Sequence, residues 1–422
     1  MHHSSSIELL SPAGTLNNMR YAFAYGADAV YAGQPRYSLR ARNNDFQIEN
    51  LKIGIAEAHA IGKKFFVASN LLPHGDKVKT YLRDMEPVIA MRPDALIMAD
   101  PGLIMLVRER WPEVPIHLSV QANTLNAAAV QFWHAMGVER VILSRELSLD
   151  EVAEIRQQCP EMELEVFVHG ALCIAYSGRC LLSGYFNHRD PNQGTCTNAC
   201  RWKYDLTEEE DGSGAVLAAP DLLQPEPLFS ACGGQQRHPK ADGVYLLREE
   251  GRPDDLMPVM EDEHGTYIMN SRDLRAVQHV ARLVEIGVNS LKIEGRTKSH
   301  YYVARTAQVY RRAIDDALAG RRFDWDLMAQ LESLANRGYT DGFYQRVASE
   351  AQQNYAQGSS TMAKQRFVGE VLECEGTRAL IEVKNRFEVG DAMLLITPEG
   401  NHPFQLAAIE HAKSGASVTV AP

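Results

Sequence analysis

The sequence predicts an α/β protein built as a (β/α)8 TIM-like barrel, and three observations predict it. Seven short runs rich in Val, Ile, Leu and Phe recur through residues 7–172, each of strand length. Helix-period segments separate them, so the repeating unit is strand then helix. An eighth apolar run, VNSLKIEG at 288–295, follows another helix-like segment, which brings the βα units to eight within about 300 residues. A doubly wound open sheet is the rival fold. It lacks its marker, because the turn after the first run is SPAG and not GxGxxG.

IELLSPAG is the first strand, and TLNNMRYAFAYG has the spacing of the first helix. DAVYAG (28–33), KFFVASN (64–70), DALIMAD (94–100), IHLSVQA (116–122), RVILSRE (140–146) and LEVFVHG (164–170) continue the series, with DEVAEIRQQC as a helix before the last. Their apolar residues are continuous rather than alternating, as expected for parallel strands covered on both faces. Residues 173–270 then form a large insertion after strand seven. RDLRAVQHVARLVEIG leads into strand eight, and SHYYVARTAQVYRRAIDDALAG closes the ring, so the barrel with its insertion takes residues 1–330. Residues 331–365 read as a connector. From Arg366 the runs RFVGEVLEC, TRALIEVKN, GDAMLLI and ASVTV alternate with turns and predict a small C-terminal β-barrel domain over 366–422. That domain is expected to continue past ASVTVAP, so it is read as truncated.

The composition, 45% apolar and 23% charged, is that of an ordinary globular enzyme. No run reaches the ~20 apolar residues that span a bilayer, so no membrane partner is expected. A net charge of −11 argues against a protein that coats nucleic acid nonspecifically, while leaving room for a local basic face. MHHSSSIELLSPAG lacks the basic start and apolar core of an export signal. The expected location is the cytoplasm, with thiols reduced.

Four of the seven cysteines, Cys173, Cys180, Cys196 and Cys200, crowd into HGALCIAYSGRCLLSGYFNHRDPNQGTCTNACRW. Thiolates are soft ligands that favour zinc or iron–sulfur clusters. The wide C-x6-C-x15-C-x3-C spacing is unlike the tight pairs of zinc ribbons and fingers. A [4Fe–4S] cluster is therefore the preferred cofactor. A structural zinc, or thiols that merely fill core space, are the alternatives.

The insertion leaves the C-terminal end of strand seven, the rim where barrel enzymes build their sites. Strand-end polar residues there are the candidates. His169, Glu294 and Arg296 are expected to act in catalysis, and Arg40, Arg42, Asn70, Gln121, Arg145 and Lys292 in substrate binding. Guanidinium forks match carboxylate or phosphate oxygens in pairs, so the arginines suit a small dicarboxylate or an RNA backbone. Helix capping, loop solvation or ion pairing with Glu146 and Glu294 is the ordinary alternative for each. Aromatics interleaved with cations around the cysteines suit stacking on an unpaired base, or simple packing. Proteolysis finds no support, because HExxH and G-x-S-x-G are absent.

ELLSPAG at 8–14, GADAVYAG at 26–33, the cysteine segment, EDEHGTYIMNSRDL at 261–274 and SLKIEGRTKS at 290–299 together resemble the collagenase-like peptidase family of the "U" class, in particular its tRNA-hydroxylating branch. The resemblance spans essentially the whole chain. It implies hydroxylation without molecular oxygen, giving 5-hydroxyuridine at the wobble position of tRNA, with prephenate as co-substrate. The implied partners are the tRNA anticodon loop, a small dicarboxylate and the iron–sulfur assembly machinery. By resemblance, Cys173, Cys180, Cys196 and Cys200 match the cluster ligands, whereas Cys232, in FSACGGQQRHP, does not match the place of a more distant fourth ligand. Residues 208–256 depart from the family pattern. Rival readings are a hydroxylase of ribosomal RNA or a quinone precursor, a peptidase, and a noncatalytic protein stapled by its metal.

Overall fold

Eight apolar runs become eight parallel strands that close on themselves. The computed structural model describes residues 7–39, 45–172, 176, 204–210, 215–218, 245–249, 252–259, 272–334, 336, 338–345 and 365–422. The first seven barrel strands are β1 (Glu8–Pro12), β2 (Ala29–Gly33), β3 (Lys64–Ser69), β4 (Ala95–Met98), β5 (Ile116–Leu118), β6 (Arg140–Ile142) and β7 (Glu163–Ala171). Each pairs in parallel with the next. The eighth barrel strand, Ser290–Ile293, pairs with β7 on one side and β1 on the other, which closes the ring. This is the (β/α)8 barrel expected from the strand–helix repeat.

The helices cover the outer wall with one buried stripe each. Met19, Ala22 and Phe23 of α1 (Leu16–Ala24) are buried, as are Leu51, Gly54, Ile55 and Ala58 of α2 (Ile48–Ala60). Small oxygen-bearing residues start several of them by accepting an otherwise orphaned backbone N–H. Thr15 accepts from Asn18 N, Asp100 from Leu103 N, Asn126 from Ala129 N, and Ser148 forms a reciprocal capping box with Glu151. Asp100, a strand-end carboxylate, is thus a helix cap.

Between β7 and the eighth barrel strand, the described parts of the insertion form a four-stranded antiparallel sheet: β8 (Tyr204–Glu210), β9 (Ala215–Ala218), β10 (Tyr245–Glu249) and β11 (Arg252–Val259). The chain returns on β12 (Asp273–Arg275), which runs antiparallel to the end of β7 with Ala171 against Asp273 and His169 against Arg275. The two ends of the insertion are therefore clamped together at the rim. The eighth barrel strand follows as β13 (Ser290–Ile293). A long helix, His300–Leu318, packs back against α1 and β1.

Beyond residue 365 the chain forms antiparallel two-stranded pairs, of which Phe387–Glu388 with Val420–Ala421 ties the middle of the segment to its end. This unit is joined to the barrel by the stack of Tyr301 on Phe367 (4.9 Å between ring centroids) and by Tyr25 and Gln308, which donate to the carbonyls of Ile396 (2.9 Å) and Thr397 (2.8 Å).

Candidate active site at the barrel rim

Strand register decides which side chains enter the barrel. Ile97 lies opposite His117, His117 opposite Arg140, Ile142 opposite Glu165, and Phe167 opposite Lys292. Paired residues share a face, so these side chains line the lumen. At its N-terminal end Arg140 meets Glu8 (2.5 Å), Glu163 (2.7 Å) and Glu165 (3.1 Å). One layer higher, Lys292 Nζ meets Glu165 (2.7 Å) and lies 4.4 Å from the centre of the Tyr31 ring. Burial would raise the Glu8 carboxyl, but Arg140 and Lys64 outweigh it and hold it below its ordinary value. Burial lowers Lys292 against the opposing pull of Glu165. His117 is held neutral by burial and by the neighbouring cations Arg140, Lys292 and Lys64.

His169 does not join them. The pairing of β7 with β13 slips between Lys292 and Ile293, so that Ile293 faces His169 although Lys292 faces Phe167. The slip is a β-bulge, which re-aims the next side chain. His169 turns outward among Tyr302, Tyr310 and Tyr339, with ring centroids 5.8, 5.6 and 5.4 Å away. Its Nδ1 lies 3.3 Å from the Tyr310 hydroxyl, which donates to Val168 O (2.6 Å) and accepts from Ala276 N. With that proton committed, Nδ1 is the nitrogen that carries hydrogen, and buried Nε2 has no partner. Burial, reinforced by Arg275 and Lys298, pushes the imidazole down to about 3.

Two polar assemblies occupy the rim. In the first, Arg145 stacks on Phe167, its guanidinium carbon 3.8 Å from the ring centroid, and bonds Glu294 (3.1 Å). Its other N–H groups make no hydrogen bond among the described residues. In the second, Arg296 donates to Ser38 Oγ and Leu39 O, both at 2.7 Å. Leu39 N donates to Asn70 (3.3 Å), Asn70 to Ser119 (3.3 Å), and Ser119 to Gln121 (3.4 Å). Gly33 lets Arg296 and Ser38 close, because a Cβ there would lie 2.5 Å from Ser38 Oγ and 2.6 Å from Arg296 Nη1 and would push the two apart. Gly170, at φ +106°, is required beside Glu294, whose carbonyl a Cβ would approach to 2.5 Å.

The structure thus brings Arg145 together with Glu294, and Asn70, Gln121 and Arg296 together in one chain. Lys292 lies deeper, in the lumen. Cys173, Cys180, Cys196, Cys200, Arg40 and Arg42 lie outside the described residues. Among the described residues, no group of three His, Cys, Asp or Glu side chains is arranged to hold a metal.

The model of peptidase family U32 matches residues 14–354, and that of the U32 C-terminal domain matches residues 363–422. The chain belongs to peptidase family U32. It is 61% identical over 417 residues to tRNA hydroxylation protein P of Escherichia coli, covering 98% of this chain and 91% of that protein. The protein of the same name from Haemophilus influenzae is 60% identical, over 96% of this chain and 89% of its own length. More distant is the 23S rRNA 5-hydroxycytidine C2501 synthase of Escherichia coli, 28% identical over 81% of this chain and 45% of that protein. The first U32 match takes in the rim and the cysteine segment, and the second takes in the terminal strand pairs.

Strand-end reasoning missed Ser38 and Ser119, the links of the rim chain, and the lumen charges Arg140 and Glu165. One signal was present. Glu165 interrupts LEVFVHG, and a charge inside a doubly covered strand requires a buried partner.

Proposed function

We propose that this protein is an enzyme that modifies tRNA, hydroxylating C5 of the wobble uridine to 5-hydroxyuridine without molecular oxygen. The observation that carries the proposal is the 61% identity to a tRNA hydroxylation protein over nearly the full length of both chains. The rim supports a dicarboxylate co-substrate, for which we take prephenate. Arg145 offers open guanidinium donors there, while Glu294 and the Phe167 face hold it in one orientation. Arg296, by contrast, is engaged by Ser38 and Leu39, so its part in the reaction is to shape the rim.

Cys173, Cys180, Cys196 and Cys200 would hold a [4Fe–4S] cluster loaded by the iron–sulfur assembly machinery of the cytoplasm. Bound there, a cluster supplies electron-transfer or Lewis-acid chemistry. The rest falls to the chain itself. Arg145 anchors the anion, Asn70 and Ser119 hold the Gln121 amide that meets the base, and the aromatic wall of Phe167 and Tyr31 excludes water from below. The anticodon loop offers a base that is already unpaired, which avoids the cost of opening a duplex.

The test is nucleoside mass spectrometry of tRNA from cells lacking this protein and any oxygen-dependent wobble hydroxylase. Wild type is expected to restore 5-hydroxyuridine and Cys196→Ala is not. The 28% identical relative named for ribosomal cytidine favours a second reading, hydroxylation of ribosomal RNA. Failure of wild type to restore the tRNA nucleoside, with ribosomal 5-hydroxycytidine restored instead, would establish it.

A further inference from the structure

We propose that Gln121 determines which base is accepted, its side-chain amide donating to a carbonyl oxygen at position 4 of the pyrimidine, and so selecting uracil over cytosine. This rests on the tRNA-hydroxylation proposal and names the specificity group of that same rim.

The direction of the rim chain carries the inference. Arg296 Nη2 holds Leu39 O at 2.7 Å and Nη1 holds Ser38 Oγ at 2.7 Å, which fixes the peptide at Leu39. The Leu39 backbone N–H, which can only donate, bonds Asn70 Oδ1 at 3.3 Å. That sets the Asn70 amide, so its Nδ2 is the donor to Ser119 Oγ at 3.3 Å. The backbone N–H of Gln121 donates to the same oxygen at 3.5 Å. Both Ser119 lone pairs are then filled, and its single hydrogen goes to Gln121 Oε1 at 3.4 Å.

The Gln121 amide is thereby oriented from outside, through three residues. Its Nε2 is left buried with no hydrogen-bond partner, on a residue 5% exposed at the C-terminal end of β5. A buried donor without an acceptor is destabilising until something accepts from it. Uracil carries an acceptor at position 4, and cytosine carries an amino donor there. Uracil satisfies Nε2, whereas cytosine sets two donors against each other. Discrimination of about 100-fold or more follows from leaving a buried polar group unpaired.

The deciding experiment compares full-length tRNA bearing uridine or cytidine at the target position, with purified wild type, Gln121→Glu and Asn70→Asp. Wild type is expected to prefer uridine by about 100-fold. Gln121→Glu replaces the donor with an acceptor and should cut uridine turnover at least about 10-fold while raising the cytidine share. Asn70→Asp never meets the base. Its new carboxylate draws the Ser119 hydrogen away from Gln121 Oε1, so the amide is free to turn over. The uridine preference should fall at least about 10-fold in a protein whose thermal unfolding is unchanged. Folded variants that both keep the wild-type preference would overturn the proposal. Should wild type modify neither tRNA, the tRNA-hydroxylation proposal falls, and binding of uridine and cytidine monophosphates to wild type decides the specificity: a uridine preference lost in Gln121→Glu supports it, and equal affinities overturn it.

Discussion

His169 is paired with Ile293, one step out of phase with the pairing of Phe167 against Lys292. That slip, and not the alternation of the strand, places its imidazole on the helical side of the barrel wall against Tyr310. In unbroken alternation His169 would lie two residues above Phe167 on the lumen face, beside the rim arginine.

The burial of a neutral imidazole makes stability depend on pH. In the unfolded chain the group titrates near ~6.5, and in the fold it is pushed down to about 3. Between those values the unfolded state binds the extra proton. Its contribution to stability is therefore complete above the unfolded value and is lost as pH falls toward the folded one, at up to about 1.4 kcal/mol per pH unit. His117, lowered in the same direction, adds to the slope. Urea midpoints measured between pH 6.5 and 4 should fall less steeply in His169→Phe than in wild type, by about one proton. Equal slopes would mean that the ring is not buried in neutral form.

The lumen pair should respond asymmetrically. Glu165 serves both Lys292 (2.7 Å) and Arg140 (3.1 Å), whereas Arg140 also has Glu8 and Glu163. Glu165→Gln strands the Lys292 ammonium in the lumen and should cost about 3–5 kcal/mol. Lys292→Met leaves Glu165 with Arg140 and should cost less. Denaturation of the two variants side by side decides the order, and a milder Glu165→Gln would disprove the account.

At the rim, Arg145→Lys should behave as a damaging change. Lysine keeps the charge but loses the planar fork and the stack on Phe167. The expected result is a KM for the dicarboxylate raised about 10-fold or more with kcat much less affected, since the anchor holds ground state and transition state alike. An unchanged KM would remove Arg145 from the binding site.

Gly170 joins strand register to the site. Alanine there would need φ +106° and a Cβ 2.5 Å from the Glu294 carbonyl, so Gly170→Ala should destabilise by roughly 1–3 kcal/mol. It should also shift Glu294 away from Arg145 and raise the same KM. A variant as stable and as active as wild type would mean that the two strands separate freely at this point.

Much of the architecture was legible because it is written locally. Continuous runs such as KFFVAS and ALIM identify doubly covered strands by residue type alone, and Thr15, Asp100 and Ser148 mark helix starts. Asn70, Gln121, Arg145, Glu294 and Arg296 were legible as rim residues because they follow strand ends. Their roles were not. Arg145 and Arg296 look alike in sequence, yet one presents open donors and the other is held by Ser38 and Leu39. The antiparallel sheet within the insertion was missed, since 208–256 departs from the family pattern and its acidic runs mask the alternation of its strands.

By itself the sequence determined the eight-fold repeat of strand and helix and the polar residues that follow its strand ends, because period, propensity and spacing act between near neighbours in the chain. Only the tertiary structure decided the side on which His169 lies, the partners of Glu165, and the one-way hydrogen-bond chain that ends at Gln121. Those depend on register between strands and on contacts between residues as far apart as Ser38 and Arg296. Such contacts exist only once the barrel has closed.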